Sequence, residues 1–353
     1  MRLMQKKTAS ASMENNVPTD VKDAKDAKDA KDAKEMLTVS VSPHLHSGRT
    51  TQNIMLDVII ALCPALIAGT VIFGVRSLLV AAVCMATAVL SEFLFNRICK
   101  KEQTVGDLSA VVTGLLLALN LPAVTPAWQA AVGAFFAIVV VKCLFGGIGQ
   151  NFANPAITAR VFMLISFQSL AKMSLPTIVD VTAGATPLPI LNGEAAGSLP
   201  SLTEMLLGLR GGAIGETCVV ALLLGGIYLM VRRVISWHTP VCYVATVFLF
   251  TLALKGDVRT AFYHVLAGGL LLGALFMATD YATTPTSFLG KAIFGVGCGI
   301  ITVVIRIFGN YPEGVSFAIL LMNILTPYID QWTHRRTFGV TRPAKCRKES
   351  ADR

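Results

Sequence analysis

Residues 108–141 read Leu108-Ser-Ala-Val-Val-Thr-Gly-Leu-Leu-Leu-Ala-Leu-Asn120-Leu-Pro-Ala-Val-Thr-Pro126-Ala-Trp-Gln-Ala-Ala-Val-Gly-Ala-Phe-Phe-Ala-Ile-Val-Val-Val141. No side chain in this stretch carries a charge. A helix crosses the bilayer core in about 20 residues, so the run is too long for a single crossing. Asn120-Leu121-Pro122 and Pro126 interrupt it near the middle. Proline removes a backbone donor and its ring clashes with the preceding turn, which ends a helix. The stretch therefore predicts two membrane helices, the third and fourth of the chain, joined by a tight turn.

Working outward, the same chemistry recurs. The chain of 353 residues is 54% hydrophobic and 14% charged, with a mean hydropathy of +0.65. These values belong to polytopic membrane proteins rather than large soluble domains. Apolar runs at residues 58–75 and 77–96 precede the quoted stretch, and a weaker run at 155–175 follows it. Five more lie at 212–231, 234–254, 260–279, 288–307 and 314–329. The predicted fold is an all-α integral membrane protein with about ten transmembrane helices over residues 42–330.

Charge orients these helices. Placing the N-terminus in the cytoplasm collects Arg97, Lys100, Lys101, Arg160, Arg232, Arg233, Lys291 and the basic tail 331–353 on that side. The opposite face receives mostly single cations such as Arg76, Lys172, Arg210 and Arg306. Cytoplasmic loops attract lysine and arginine, so both termini are read as cytoplasmic and the polar loop 176–211 as extracytoplasmic. The net charge of +9 is thus assigned to topology, with no nucleic-acid partner. Residues 1–41 contain a Lys-Asp-Ala repeat without large apolar side chains and are read as a disordered cytoplasmic arm.

Five helices precede the loop and five follow it, and each half has a Gly-rich break on its cytoplasmic side: residues 146–155 in one, 278–285 in the other. Two readings stay open: a pair of inverted five-helix repeats, as in many transporters, or two unrelated breaks. Interrupted backbone inside a membrane needs protein or a water-filled cavity around it. Both breaks are therefore candidate ligand or ion sites. The eight cysteines have no CxxC spacing, which excludes an iron–sulfur motif within this chain alone.

The loop contains Asp180-Val181-Thr182-Ala183-Gly184-Ala185-Thr186-Pro187-Leu188. Ordered around it are Ser42-Pro43-His44, residues 109–122, Gly146-Gly147-Ile148-Gly149-Gln150-Asn151-Phe152-Ala153-Asn154-Pro155-Ala156, Gly215-Glu216-Thr217, Met277-Ala278-Thr279-Asp280 and Tyr311-Pro312-Glu313-Gly314. In this order the set resembles the D subunits of Rnf complexes, ion-translocating oxidoreductases between ferredoxin and NAD. The B subunits of sodium-translocating NADH:quinone oxidoreductases are related. The resemblance spans about residues 42–330. It implies FMN joined to Thr186 through a phosphoester and added outside the cytoplasm by a flavin transferase. Asp180 matches the acid that opens the attachment pattern, and Gly184, Ala185 and Thr186 match its end. Ala183 stands where that pattern usually has serine or threonine. Small residues beside the acceptor let a phosphate-bearing donor approach the backbone.

Further candidates follow from the breaks. Asn151, Asn154 and Arg160 are placed either around a second, non-covalent flavin such as riboflavin, or simply as helix caps and inside charges. Asp280, near the end of its span, is a candidate for the same flavin or for an ion, because carboxylates in membrane segments tend to be functional. The alternative is a helix-end carboxylate in water or paired with a neighbouring cation, and Glu216 is a weaker candidate of the functional kind. His44 and His264 are lone histidines with no second metal-type residue nearby, so no metal is assigned. No nucleotide-binding glycine motif is present, which leaves NAD and ferredoxin to partner subunits carrying iron–sulfur, flavin and NAD sites. The function predicted is a flavin-carrying subunit of a sodium- or proton-translocating electron-transfer complex in a bacterial cytoplasmic membrane. The alternatives are a quinone-reducing B-type subunit and a channel or transporter without a redox cofactor.

Overall fold

The structure is a computed structural model that describes residues 50–167, 187–192, 199–309 and 314–333. The arm 1–41, the string at 42–44, residues 311–313 of the string 311–314, the attachment residues Asp180, Gly184, Ala185 and Thr186, and the tail from residue 334 lie outside the described residues. Among the described residues the regular elements are helices.

The first helix, α1 (Thr51–Phe73), begins where the Thr50 hydroxyl accepts from the Asn53 amide at 3.3 Å and ends at Gly74. That glycine has φ 81 and turns the chain directly into α2 (Val75–Ile98). The quoted stretch then divides as its prolines require, into α3 (Ser109–Asn120) and α4 (Ala127–Cys143). From Phe136 to Cys143 the α4 backbone winds as a π-helix, a rare geometry that is frequent at functional sites. Asn154 caps α5 (Pro155–Ser166), with Pro155 in the first turn, where its missing N–H costs nothing.

Two short helices, α6 (Pro187–Asn192) and α7 (Leu202–Leu207), precede the second half. That half consists of α8 (Val219–Val231), α9 (His238–Lys255), α10 (Val258–Leu266), α11 (Leu270–Met277), α12 (Phe288–Phe308) and α13 (Gly314–Thr333).

Among the described residues, α1, α2, α9 and α12 are long and apolar enough to cross a bilayer on those grounds alone, and α10 with α11 form one more candidate span bent by 63°. The run predicted at 212–231 becomes helical at Val219, leaving 208–218 irregular. The run predicted at 260–279 is broken at residues 267–269. Helices α3, α4, α5 and α8 are shorter apolar segments. Of these, α3 runs into the largely buried turn 121–126 and α8 is preceded by the largely buried irregular stretch 208–218, while the second half of the run predicted at 155–175 lies outside the described residues.

Packing repeats between the halves. In the first, α2 lies along α3 and α4, and α5 packs on both of those. In the second, α9 lies along α10 and α12, and α13 packs on α12 and α11. The halves meet through like pairs, α1 with α8 and α5 with α13, the arrangement a two-fold relation produces. This supports the repeat reading over two unrelated breaks. Small residues allow the close crossings: a Cβ at Gly225 in α8 would lie 2.1 Å from the Ala61 carbonyl oxygen of α1. Outward faces are apolar, with Ile67 63% and Val71 62% exposed, as a lipid-facing surface requires. All three tryptophans, Trp128, Trp237 and Trp332, are exposed at helix ends, where amphipathic rings sit at membrane interfaces.

Candidate functional site

At the end of the bundle where α4 finishes and α5 starts, the halves enclose a cavity of about 450 Å³. Sites for small molecules span roughly 300–1,000 Å³. Its wall is formed by α1, the first turns of α3 and α5, the ends of α4, α8 and α11, and the two glycine-rich breaks. Gly149, with φ 82, carries the first break along this wall in a conformation that a side chain would strain. The structure therefore brings both predicted breaks to a single site, together with Asn151, Asn154 and Asp280. Arg160, fully buried in α5, does not form part of the wall.

Asn154 is committed to structure. Its side-chain oxygen accepts from the amides of Ala156 at 3.0 Å and Ile157 at 3.4 Å, and its amide nitrogen donates to the Met277 carbonyl at 3.4 Å. This ties the start of α5 to the end of α11. On the far side Asn323 of α13 donates to the Thr283 carbonyl and accepts from the Asn154 backbone N–H, each at 3.2 Å. Asn151 differs: its side-chain oxygen is buried and has no hydrogen-bond partner among the described residues. A buried acceptor without a donor is costly, and this one belongs to a cavity wall. Asp280 receives the Thr283 hydroxyl at 3.2 Å. Burial pushes its carboxyl above the usual carboxylate range, against the lowering effect of the Thr283 bond and the amides of Ala282 and Tyr281.

Sequence reasoning missed an ion pair that begins at this wall and runs behind it. Lys142, in the π-helical turn of α4, donates to Glu92 of α2 at 2.8 Å and to the Ser109 hydroxyl at the start of α3 at 2.7 Å. The two charged side chains are 3% and 1% exposed. Thr104 donates to the other Glu92 oxygen at 2.6 Å and accepts from Asn96 at 3.1 Å. The signal was present, since Glu92 is an acid inside the apolar run 77–96 and ionisable residues within a span are rarely idle.

The break between α10 and α11 is organised by arginines. Arg306 of α12 donates to the His264 carbonyl and, at 3.0 Å, to the Ala267 carbonyl. Arg210 donates to the carbonyls of Leu266 at 2.7 Å and Glu216 at 3.1 Å. Terminal helix carbonyls lack intrahelical partners and favour cations, so these guanidinium groups cap α10. Glu216 is buried beside this break and precedes α8 rather than lying in it. His264 is a buried α10 residue whose carbonyl belongs to the cap. Leu188, two positions after Thr186, packs with Met205, Tyr263 and Ala267 at the same break.

A family model described as the NQR2, RnfD, RnfE family matches residues 38–339. The D subunit of the Na(+)-translocating ferredoxin:NAD(+) oxidoreductase complex from Acetobacterium woodii is 46% identical over 312 residues, covering 88% of this chain and 97% of that one. The D subunit of the proton-translocating ferredoxin:NAD(+) oxidoreductase complex from Clostridium ljungdahlii is 39% identical over 323 residues, covering 87% and 97%. The D subunit of an ion-translocating oxidoreductase complex from Marinobacter nauticus is 37% identical, covering 84% and 94%.

Proposed function

This chain belongs to the NQR2, RnfD, RnfE family, and from that membership we propose that it is a flavin-carrying membrane subunit through which electrons pass in an Rnf-type complex. It is a multi-pass membrane protein and acts as a subunit of an ion-translocating ferredoxin:NAD oxidoreductase, not as a complete enzyme. Relatives are named for sodium in one case and protons in another, so the translocated ion is one of these two. The chain resides in a bacterial cytoplasmic membrane with both termini inside and the loop 176–211 outside. Its partners are iron–sulfur, flavin and NAD-binding subunits of the same complex, and a flavin transferase acts on it during maturation.

Two flavin positions are proposed. Thr186 holds FMN covalently, with Asp180, Gly184 and Ala185 forming the attachment pattern; support comes from the sequence of that loop. A second, non-covalent flavin such as riboflavin binds in the cavity. The observation that carries this second site is the Asn151 oxygen, without a hydrogen-bond partner among the described residues and buried in the wall of a largely apolar cavity of about 450 Å³. Flavin supplies reversible electron acceptance when bound. Asn151 accepts a hydrogen bond from the ring's polar edge, Asn154 holds the floor of the cavity in place, and Asp280 lines the opposite break as an acid with weakened acidity.

The test is flavin analysis of the purified complex. In-gel fluorescence of this subunit after denaturation is expected in the parent, co-expressed with the transferase, and absent in Thr186→Ala. Fluorescence persisting in the alanine variant removes Thr186 from the assignment. Acid-extractable flavin is expected to fall by about one equivalent per complex in Asn151→Leu, and unchanged extractable flavin rejects the cavity site.

A further inference from the structure

An apolar cavity that holds an electron carrier must accommodate the charge that reduction adds. Two electrons and one proton entering a neutral flavin ring leave one negative charge, and a low-dielectric wall penalises that charge unless a cation faces it. Among the charged residues of the wall are Asp280 and Lys142. Lys142 is unusually placed. It and Ser109 line the cavity, whereas its partner Glu92 and the supporting Thr104 and Asn96 do not. The buried pair is thus oriented, with its positive end at the wall and its negative end behind. An ammonium carries three N–H donors; Glu92 and Ser109 accept two, which leaves one for the cavity.

We propose that Lys142 is the residue that stabilises the reduced, negatively charged form of the cavity flavin, with Glu92 as a positioning residue that holds the ammonium at the wall. This rests on the cavity-flavin reading given above. The electrons come from the iron–sulfur partners of the complex, and the single proton comes from water on the side where the cavity opens. Arg160, which the sequence placed either around this flavin or as an inside charge, is not a wall residue, whereas Lys142 is. The π-helical turn at Phe136–Cys143 is what presents Lys142 there, by offsetting it from the register of a regular helix.

The test uses the whole complex carrying Thr186→Ala in this subunit, so that no covalent flavin on this chain contributes. Lys142, Lys142→Arg and Lys142→Met are compared by acid-extractable flavin per complex and by the midpoint potential of the flavin that disappears when Asn151→Leu is added. Lys142→Arg is expected to retain both properties. Lys142→Met is expected to retain oxidised flavin within about twofold and to lower the ratio of reduced to oxidised affinity at least tenfold, which is about 30 mV for a two-electron couple. Because Lys142→Met strands the buried Glu92 carboxylate and endangers folding, Glu92→Gln/Lys142→Met removes both charges together and must show the same fall in potential. Flavin retained at an unchanged potential in either methionine variant overturns the role of Lys142 while leaving the site itself intact. If the parent complex has no extractable flavin sensitive to Asn151→Leu, the site reading fails and the role of Lys142 fails with it.

Discussion

Asn151 and Asn154 stand three positions apart and have separable tasks. The sequence suggested that each was either a flavin ligand or a helix cap. For Asn154 the cap was legible, because asparagine directly before proline at the first helical position is a start signal. For Asn151 nothing local decided the matter; the placement of its amide oxygen in the cavity wall depends on the path of 146–150, where Gly146, Gly147 and Gly149 all take positive φ. The difference predicts opposite outcomes. Asn154→Ala loses two cap bonds and the tie to Met277, a cost of about 1–2 kcal/mol, read as a lower thermal midpoint in detergent. Asn151→Ala removes an unsatisfied acceptor and is expected to leave that midpoint unchanged or slightly higher in flavin-free protein. Equal destabilisation by the two substitutions would show that Asn151 is also structural.

Among the elements, the broken span α10–α11 shows where local pattern fails. Residues 260–279 are apolar enough to be read as one continuous helix, and Gly268-Gly269 is only a weak hint of a break. What fixes the break comes from far away in sequence: Arg210 bonds Leu266 across 56 residues, and Arg306 bonds His264 and Ala267 across 42 and 39. No window of sequence contains those contacts. A Cβ at Gly268 would lie 3.0 Å from the Arg306 guanidinium and 3.1 Å from Leu188, so glycine there makes room for both the cap and the end of the threonine loop. Arg306→Met deprives two buried carbonyls of their donor, at about 1–3 kcal/mol each. The expected result is a clear loss of thermal stability in detergent. Arg306→Lys, with one compact ammonium in place of a planar fork, should recover only part of it. A methionine variant as stable as the parent would mean that the α10 carbonyls find other donors.

For the whole molecule, the all-α membrane character was legible, but the depth reached by each helix was not. Hydropathy locates apolar runs and cannot tell a full crossing from a helix that stops short of one, and α3, α4, α5 and α8 are each too short to be assigned on length alone. The repeated packing of the two halves argues that these four are crossings, since α4 takes the place in its half that the long α12 takes in the other, and α8 the place of the long α1. Labelling can decide this. Cys99, at the end of α2, is exposed, and Lys255, at the end of α9, is exposed as well. Between them lie five candidate crossings, α3, α4, α5, α8 and α9, and the six-residue helices α6 and α7, which are too short to cross. If all five cross, the two positions face opposite sides; if any one of the short helices fails to cross, they share a side. With Cys346→Ser as background, a membrane-impermeant thiol reagent is expected to label Cys99 only in inverted vesicles. The added cysteine of Lys255→Cys should react only in intact spheroplasts. Labelling of both from one face would reduce the number of crossings by an odd count and would break the inverted repeat on which the shared cavity depends.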